Sequence, residues 1–207
     1  MEEWLYSDVP STIGLFRIVY RDRTVRSVDL LERGVSQTGL PEGVRLRRPP
    51  FPSESPPKQL AEYFKGQRTA FDLTTDPITG SDFDRAVWKT LEKVPAGATV
   101  TYGELARRTG HAGSARAVGG SMRRNPIPVV IPCHRVVGQA GDLTGYGLGL
   151  WRKRWLLDHE GAWPLRYRSL EGPRGKSQRT LEESGPYAEA SARPASPPRA
   201  APTGAAP

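Results

Sequence analysis

A chain of 207 residues with 37% apolar residues can build one compact unit or two small domains. Its start, MEEWLYSDVP, has no basic segment leading into an apolar run, and no stretch approaches the ~18 apolar residues of a membrane span, so a soluble, cytoplasmic protein is expected. Cys133 is the only cysteine, which excludes an internal disulfide and any cysteine-rich zinc cluster and leaves a thiol that is either buried filler or reactive. The formal charge of +8 divides into 0 over residues 1–80, +5 over 81–162 and +3 over 163–207. Such an excess favours a polyanion through counterion release, or else forms a solvated basic face.

In chain order, Ile13 to Val19 and Val25 to Leu31 alternate partly on either side of Arg21-Asp22-Arg23, which predicts a β-hairpin behind a polar start. Arg45 to Pro57, rich in Arg, Pro and Ser, reads as a loop, and Gln59 to Lys65 carries Leu60, Tyr63 and Phe64 at helical spacing. Phe71 and Leu73 suit another strand. Nothing here pairs titratable groups in a way that suggests chemistry, so residues 1–78 read as a mixed α+β scaffold. Beyond Gly80 the texture changes: Phe83, Val87, Leu91 and Val94 fall on one helical stripe, with Ser81 or Asp82 as cap. Thr101-Tyr102-Gly103-Glu104 is a capping-box pattern in which Thr101 caps the backbone and Glu104 reaches back, opening a short helix that ends at Gly110. A third helix runs from after Ser114 to before Asn125-Pro126, because the residue preceding proline is biased out of the helical region. Two short helices around a glycine-containing turn make a helix-turn-helix pattern.

The third helix can turn Val118 and Met122 to the core and leave Arg116, Gly119, Gly120, Arg123 and Arg124 as a small, basic remainder. Its glycines cost about 1 kcal/mol each relative to alanine, so they call for a reason, either close packing of two helices or close approach of DNA. Ile127 to Ile131, interrupted and flanked by prolines, fits a buried extended segment that delivers the chain to Cys133-His134-Arg135. A glycine-rich loop over 138–149 follows, then a helix from about Leu150 to His159 with Trp151 and Trp155 in the core, ending at Glu160-Gly161. Residues 163–207, rich in Pro, Ala, Ser, Gly and Arg, read as a disordered tail because they cannot bury enough surface to offset the entropy of ordering.

Cysteine attacks as the thiolate, and at an unperturbed pKa of ~8.5 only a few per cent is ready at neutral pH unless a base or a positive charge assists. His134 is the nearest assistant. Adjacent side chains rarely face each other, so a bridging water is a reasonable link between Cys133 and His134. The imidazole then needs an acceptor to hold its tautomer, and Glu160 is the best carboxylate on offer. From spacing alone, a lone cysteine beside a histidine stays open between a structural and a catalytic reading. Arg135 stays open between binding phosphate and pinning the turn, while His111 reads as a solvated turn residue and His159 as a helix-end cation.

The longer string from Asn125 to Val136, NPIPVVIPCHRV, resembles the active-site signature of the O6-alkylguanine-DNA alkyltransferases. Thr101-Tyr102-Gly103, Arg116-Ala117-Val118-Gly119, Gly145-Tyr146 and Leu156 to Gly161 match in order, so the resemblance spans about Phe83 to Gly161. It implies an α+β fold: a small mixed α/β N-terminal domain with a β-hairpin, over 1–78, packed on a mainly helical, winged-helix-like DNA-binding domain, over 79–162. The implied reaction is direct, single-turnover transfer of an alkyl group from O6 of guanine, or O4 of thymine, in double-stranded DNA to Cys133, after the nucleotide is flipped. By resemblance His134 is the base acting through water, Glu160 its orienting carboxylate, Asn125 the brace of the helix-to-strand connection and Tyr102 the residue that rotates the phosphate and neutralises the leaving guanine. Arg116 enters the base stack from a helix lying in the minor groove, with Ala115, Gly119, Gly120 and Arg123 on the same DNA-facing surface. Met122, Val136, Tyr146, Gly147 and Leu148 line the base pocket, where main-chain groups of Cys133, Val136 and Gly147 meet the base edge.

Leu148 stands where some relatives carry tryptophan and others glycine, so the pocket can admit groups larger than methyl. Some relatives bind zinc near the N-terminus, but here no histidine precedes His111, so neither metal nor cofactor is expected, and the protein is expected to act as a monomer. Three rival readings differ in one observable: a lesion binder, a helix-turn-helix regulator and a cysteine hydrolase would none of them retain an alkyl group on Cys133.

Overall fold

Alternation of apolar and polar residues runs through three successive stretches at the start of the chain, and each becomes a strand. The computed structural model describes residues 2–33, 43–49 and 56–162. In it β1 (Glu3–Ser11), β2 (Gly14–Arg21) and β3 (Thr24–Leu30) pair antiparallel in sequence order. The hairpin between β2 and β3 turns at Asp22, whose φ of 53° suits Asp better than most side chains. The polar start, for which periodicity predicts no element, is β1: Trp4 and Val9 are buried, and Asp8 sits directly opposite Arg17 and accepts its Nε at 2.7 Å.

Two short parallel strands extend this sheet, β4 (Arg45–Arg47) beside β1 and β5 (Thr74–Thr75) beside β3, giving the order β4-β1-β2-β3-β5. β4 falls in a stretch expected to be loop, and the rest of that stretch at 50–55 lies outside the described residues. β5 falls just past Phe71 and Leu73, which pack half-buried against the core instead of forming the strand themselves. α1 (Pro56–Phe64) starts earlier than its apolar spacing suggested, because prolines fill a first turn whose N–H groups have no intrahelical acceptor. Leu60, Tyr63 and Phe64 are buried, with Phe64 stacked on Phe16 of β2 at 5.1 Å.

α2 (Asp82–Leu91) opens on a complete capping box: the Ser81 hydroxyl accepts from Asp84 N, and the Asp84 carboxylate accepts from Ser81 N. Val87, Trp88 and Leu91 are fully buried, each contributing about 1.5–3 kcal/mol, and Trp88 Nε1 donates to Ser121 O at 3.1 Å. After β6 (Val100–Thr101), α3 (Tyr102–Arg108) and α4 (Ala115–Arg124) pack on each other and on α2, joined by a turn in which Gly110 takes φ 78°. Thr101 caps α3 as expected, accepting from Glu104 N at 3.1 Å. Glu104 does not reach back. Its carboxylate turns outward to Arg107 and Arg108, cations at the i+3 and i+4 positions that outcompete one backbone N–H.

β7 (Val136–Val137) pairs parallel with β6, and α5 (Leu150–His159) buries Leu156 and Leu157. Trp155 is partly buried against the core, but Trp151 is 42% exposed with the Arg152 guanidinium against its ring, which corrects the expectation that both tryptophans are interior. One apolar cluster runs from Val9 and Phe16 through Leu60 and Tyr63 to Val87, Leu105, Ile127 and Leu156. Polar ties cross it: Val28 N donates to Pro126 O at 2.8 Å, and Arg152 Nε to Ile13 O at 2.7 Å. The fold is thus mixed α+β. No described helix is long and apolar enough to cross a membrane, and the expected tail at 163–207 lies outside the described residues.

The cap of α2 gives a direct stability test. Ser81→Ala removes one half of the box, and urea unfolding should show a loss of about 1 kcal/mol with an unchanged denaturant slope.

Candidate active site

The thiol is carried by a chain segment folded back on itself. Asn125 ends α4 and clasps the next residues with its amide: Oδ1 accepts from Ile127 N at 3.0 Å, and Nδ2 donates to Ile131 O at 2.9 Å. Ile131 N closes the turn on Ile127 O at 2.8 Å. Val129, at its apex, has φ 75°, a costly conformation for a β-branched residue. Residues 127–131 are therefore buried as expected, but as a tight turn and not as an extended segment. Pro132 follows at φ −82° and ψ 62°, an inverse γ-turn across which Cys133 N donates to Ile131 O at 2.8 Å. Cys133–Arg135 then forms a single 3-10 turn.

Cys133 is 6% exposed. Burial pushes its thiol pKa up, and a hydrogen bond from the Asn125 side chain, the positive charge of Lys153 and backbone N–H groups oppose that rise. The resting sulfur is a protonated thiol in a site equipped to hold an anion. Lys153 is fully buried on α5; its Nζ donates to Val136 O at 2.6 Å and Thr144 O at 2.7 Å, and burial lowers its pKa to about 8.

His134 is fully buried and its Nε2 lies 2.9 Å from Glu160 Oε1. A carboxylate only accepts, so Nε2 carries the proton and Nδ1, buried and without a hydrogen-bond partner, is the bare base. Burial lowers the imidazole pKa despite the pull of Glu160, so the ring rests neutral. Glu160, with its side chain 1% exposed, also accepts Arg135 Nε at 2.9 Å, Arg135 Nη2 at 2.8 Å and the Tyr63 hydroxyl at 2.6 Å. Burial alone would raise its pKa, but the bonds from His134 and Arg135 outweigh that and hold it far below the ordinary carboxylate range. Arg135 is thus a pin for the turn: its third nitrogen donates to Val94 O at 2.5 Å.

Tyr102 stands at the first turn of α3, half-buried, its hydroxyl accepting from Thr144 Oγ1 at 3.3 Å. A Cβ built on Gly119 would meet only the Tyr102 ring, at 3.8 Å, and one on Gly120 only the Arg124 guanidinium of the same helix, at 3.1 Å. Helix packing therefore does not account for the two glycines. Ala115 is half-buried, and Arg116 and Arg123 are exposed on α4. Arg124 differs from them, since Asp84 holds it at 2.7 Å. Val136 is buried, Met122 nearly so, and Tyr146 and Leu148 are half-buried near the thiol; the Tyr146 hydroxyl is buried without a partner, and burial first, then the Cys133 charge, raises its pKa. Gly147 is exposed on the loop. The carbonyl of Cys133 accepts Val136 N, and that of Val136 accepts Lys153 Nζ.

Three participants escaped sequence reasoning. Lys153 sits among Arg152, Arg154 and the tryptophans, a run that looks solvated, although its i+3 and i+4 spacing to Leu156 and Leu157 was a signal that it shares their buried face. Tyr63 was legible only as core. His159, in the last turn of α5 as expected, also joins this cluster: its Nε2 meets Tyr63 O at 2.6 Å and its ring stacks on Trp155. His111, exposed in the α3–α4 turn, leans edge-on against Phe83. Among the described residues no group of three His, Cys, Asp or Glu side chains could hold a metal ion.

The family described as 6-O-methylguanine DNA methyltransferase, DNA binding domain, matches residues 82–162. The methylated-DNA–protein-cysteine methyltransferase of Mycolicibacterium paratuberculosis is 43% identical over 152 residues, 73% of this chain and 89% of that protein. Its namesake from Shigella flexneri is 48% identical over 103 residues, 50% of this chain and 60% of that protein. Among solved structures, Mycobacterium tuberculosis OGT in complex with DNA superposes with a TM-score of 0.65 at 37% identity, covering 77% of this chain and 93% of its own. The O6-methylguanine-DNA methyltransferase of Pyrococcus kodakaraensis gives 0.54 at 27% identity, covering 76% and 99%.

The sign of the Glu160 shift fixes a pH dependence. A depressed carboxylate contributes stability that is present above its ordinary value near 4.5 and lost as pH falls below it. Glu160→Gln, which leaves Arg135 buried without its counter-ion, should cost about 3–5 kcal/mol at neutral pH. In urea unfolding compared at neutral pH and at pH ~3.5, that gap should narrow by up to about 1.4 kcal/mol per pH unit below 4.5.

Proposed function

This chain belongs to the methylated-DNA–protein-cysteine methyltransferases, and on that premise we infer that it repairs DNA directly, moving an alkyl group from O6 of guanine to Cys133 in one irreversible turn. The observation that carries the assignment to this sulfur is the arrangement around it: a lone thiol on a segment clasped by the Asn125 amide, in the field of the buried Lys153, next to an imidazole whose Nε2 is locked on Glu160. His134 Nδ1 takes the thiol proton, through a bridging water, and Glu160 stabilises the imidazolium that results. Sulfur attacks the alkyl carbon, the carbon–O6 bond breaks, and the electron pair leaves on guanine, which is protonated with help from the Tyr102 phenol. The product is a thioether. It has no good leaving group, so one molecule repairs one lesion; O4 of thymine presents the same alkyl–oxygen chemistry.

O6 lies within the base stack, so the nucleotide must be everted, at a cost of a few kcal/mol. In this reading α3 and α4 form the helix-turn-helix of a winged-helix-like unit over 79–162, the sheet and α1 form a separate scaffold over 1–78, and 163–207 is a basic tail. α4 enters the minor groove with Arg116 filling the gap left by the base, while Ala115, Gly119, Gly120 and Arg123 face the backbone. The exposure of Arg116 and Arg123 supports that role, as does the absence of backbone, among the described residues, from the nearest atoms that a Cβ on Gly119 or Gly120 would meet. The everted base meets Met122, Val136, Tyr146, Gly147 and Leu148, with Tyr102 and the Cys133 and Val136 carbonyls at its edge.

With excess oligonucleotide containing O6-methylguanine, mass spectrometry should find one methyl group on Cys133 and no further turnover, and Cys133→Ala should take up none. Repeated turnover, or a methyl group elsewhere, overturns the assignment. Arg116→Ala should slow transfer from duplex by about tenfold or more, as expected for a lost gap-filler worth one to two kcal/mol, and leave transfer from free O6-methylguanine base nearly unchanged.

A further inference from the structure

Glu160 Oε1 accepts three donors at once: His134 Nε2 at 2.9 Å, Arg135 Nη2 at 2.8 Å and the Tyr63 hydroxyl, the shortest, at 2.6 Å. Tyr63 comes from α1, outside the stretch that the family match covers, which begins at residue 82. It is 1% exposed and fixed on several sides: its ring lies 5.3 Å from Phe71 and 5.3 Å from His159, and its carbonyl oxygen meets His159 Nε2 at 2.6 Å. A phenol so placed has one direction for its O–H. Resting on the assignment of His134 as the base, we propose that Tyr63 is a positioning residue of the alkyl-transfer site, which shares Glu160 Oε1 with His134 and thereby sets how strongly the carboxylate holds the imidazolium.

The physical effect has a definite sign. Burial raises the phenol's pKa well above its ordinary value, so the group stays a donor. Each donor that Oε1 satisfies withdraws part of the negative charge that would otherwise stabilise a proton on His134. Tyr63 therefore keeps His134 a weaker base and helps it rest neutral, poised to accept the thiol proton and give it up again. The other ionisable groups that face the pair are Arg135 on the same turn, Lys153 and His159 on α5, Tyr146 on the loop and Cys133 itself. Tyr63→Phe leaves each of these side chains in the sequence and removes only the phenol's share of Glu160 Oε1.

The test uses the full-length protein and the variant Tyr63→Phe, which keeps the ring. Its readout is the rate of carbamidomethylation of the single cysteine by iodoacetamide, iodide leaving, as a function of pH, so it does not depend on DNA as the alkyl donor. In Tyr63→Phe the acid limb of that profile should move up by about half a pH unit or more, together with the titration of the His134 ring followed by NMR. As a packing control, Phe71→Leu should lower the unfolding midpoint and leave the limb where it is. In the wild-type protein the Tyr63 hydroxyl proton should exchange slowly and cross-relax with the His134 ring, a measurement that stands even where the variant fails to fold. An unmoved or downward-shifted limb, or a rapidly exchanging hydroxyl, overturns the proposal. Failure of methyl uptake from DNA with the limb still shifted would instead count against the reaction assigned above and leave Tyr63 in place.

Discussion

A carboxylate sealed from water is tolerable only if its charge is answered on the spot, and Glu160 is answered from three directions. Arg135 supplies a two-pronged guanidinium, His134 an imidazole N–H and Tyr63 a phenol. These donors come from the 3-10 turn that bears the thiol and from α1 beneath the sheet, while the acceptor caps α5. Because each donor must be in place for the charge to be borne, the positions of the turn, α1 and α5 are coupled. The orientation of His134 follows, since a ring whose Nε2 is committed to Glu160 has only Nδ1 left to offer.

The same logic governs Lys153. An ammonium buried this deeply needs acceptors, and it finds the carbonyls of Val136 and Thr144, one on the strand after the thiol and one on the glycine-rich loop. The cation thus ties the two together while its field reaches the sulfur. The thiol itself stays protonated until it is needed, because burial outweighs these aids. A sulfur that is charged only during attack is shielded from adventitious electrophiles, which matters for a residue that can be spent once.

How much of this could be read from the letters depended on whether the determinant was local. The hairpin, the stripe on α2, the Thr101 cap and the bounds of α4 follow from periodicity and turn chemistry, and they came out where the sequence put them. β4 was missed because its pairing with β1 joins residues about forty positions apart, which no window reveals, whereas β1 pairs locally with β2 and was missed because its apolar alternation is broken by polar residues. Glu104 misled because the box pattern is also an i+3 and i+4 ion-pair pattern, and two guanidinium groups won. In the site, Cys133, His134 and Glu160 were legible through a motif, whereas Tyr63 and Lys153 take their roles from long-range contacts and look like core and surface in the sequence.

Val129 gives the site a property that a list of contacting residues would omit. A valine with φ 75° holds its backbone where it does not rest willingly, and the amide of Asn125 is what keeps the segment closed on either side of it. Four residues later the chain reaches sulfur. The aim of the nucleophile is therefore set upstream, by a sprung loop and its latch, and a change that merely let the loop unwind would misdirect the thiol without touching a single atom that meets the base.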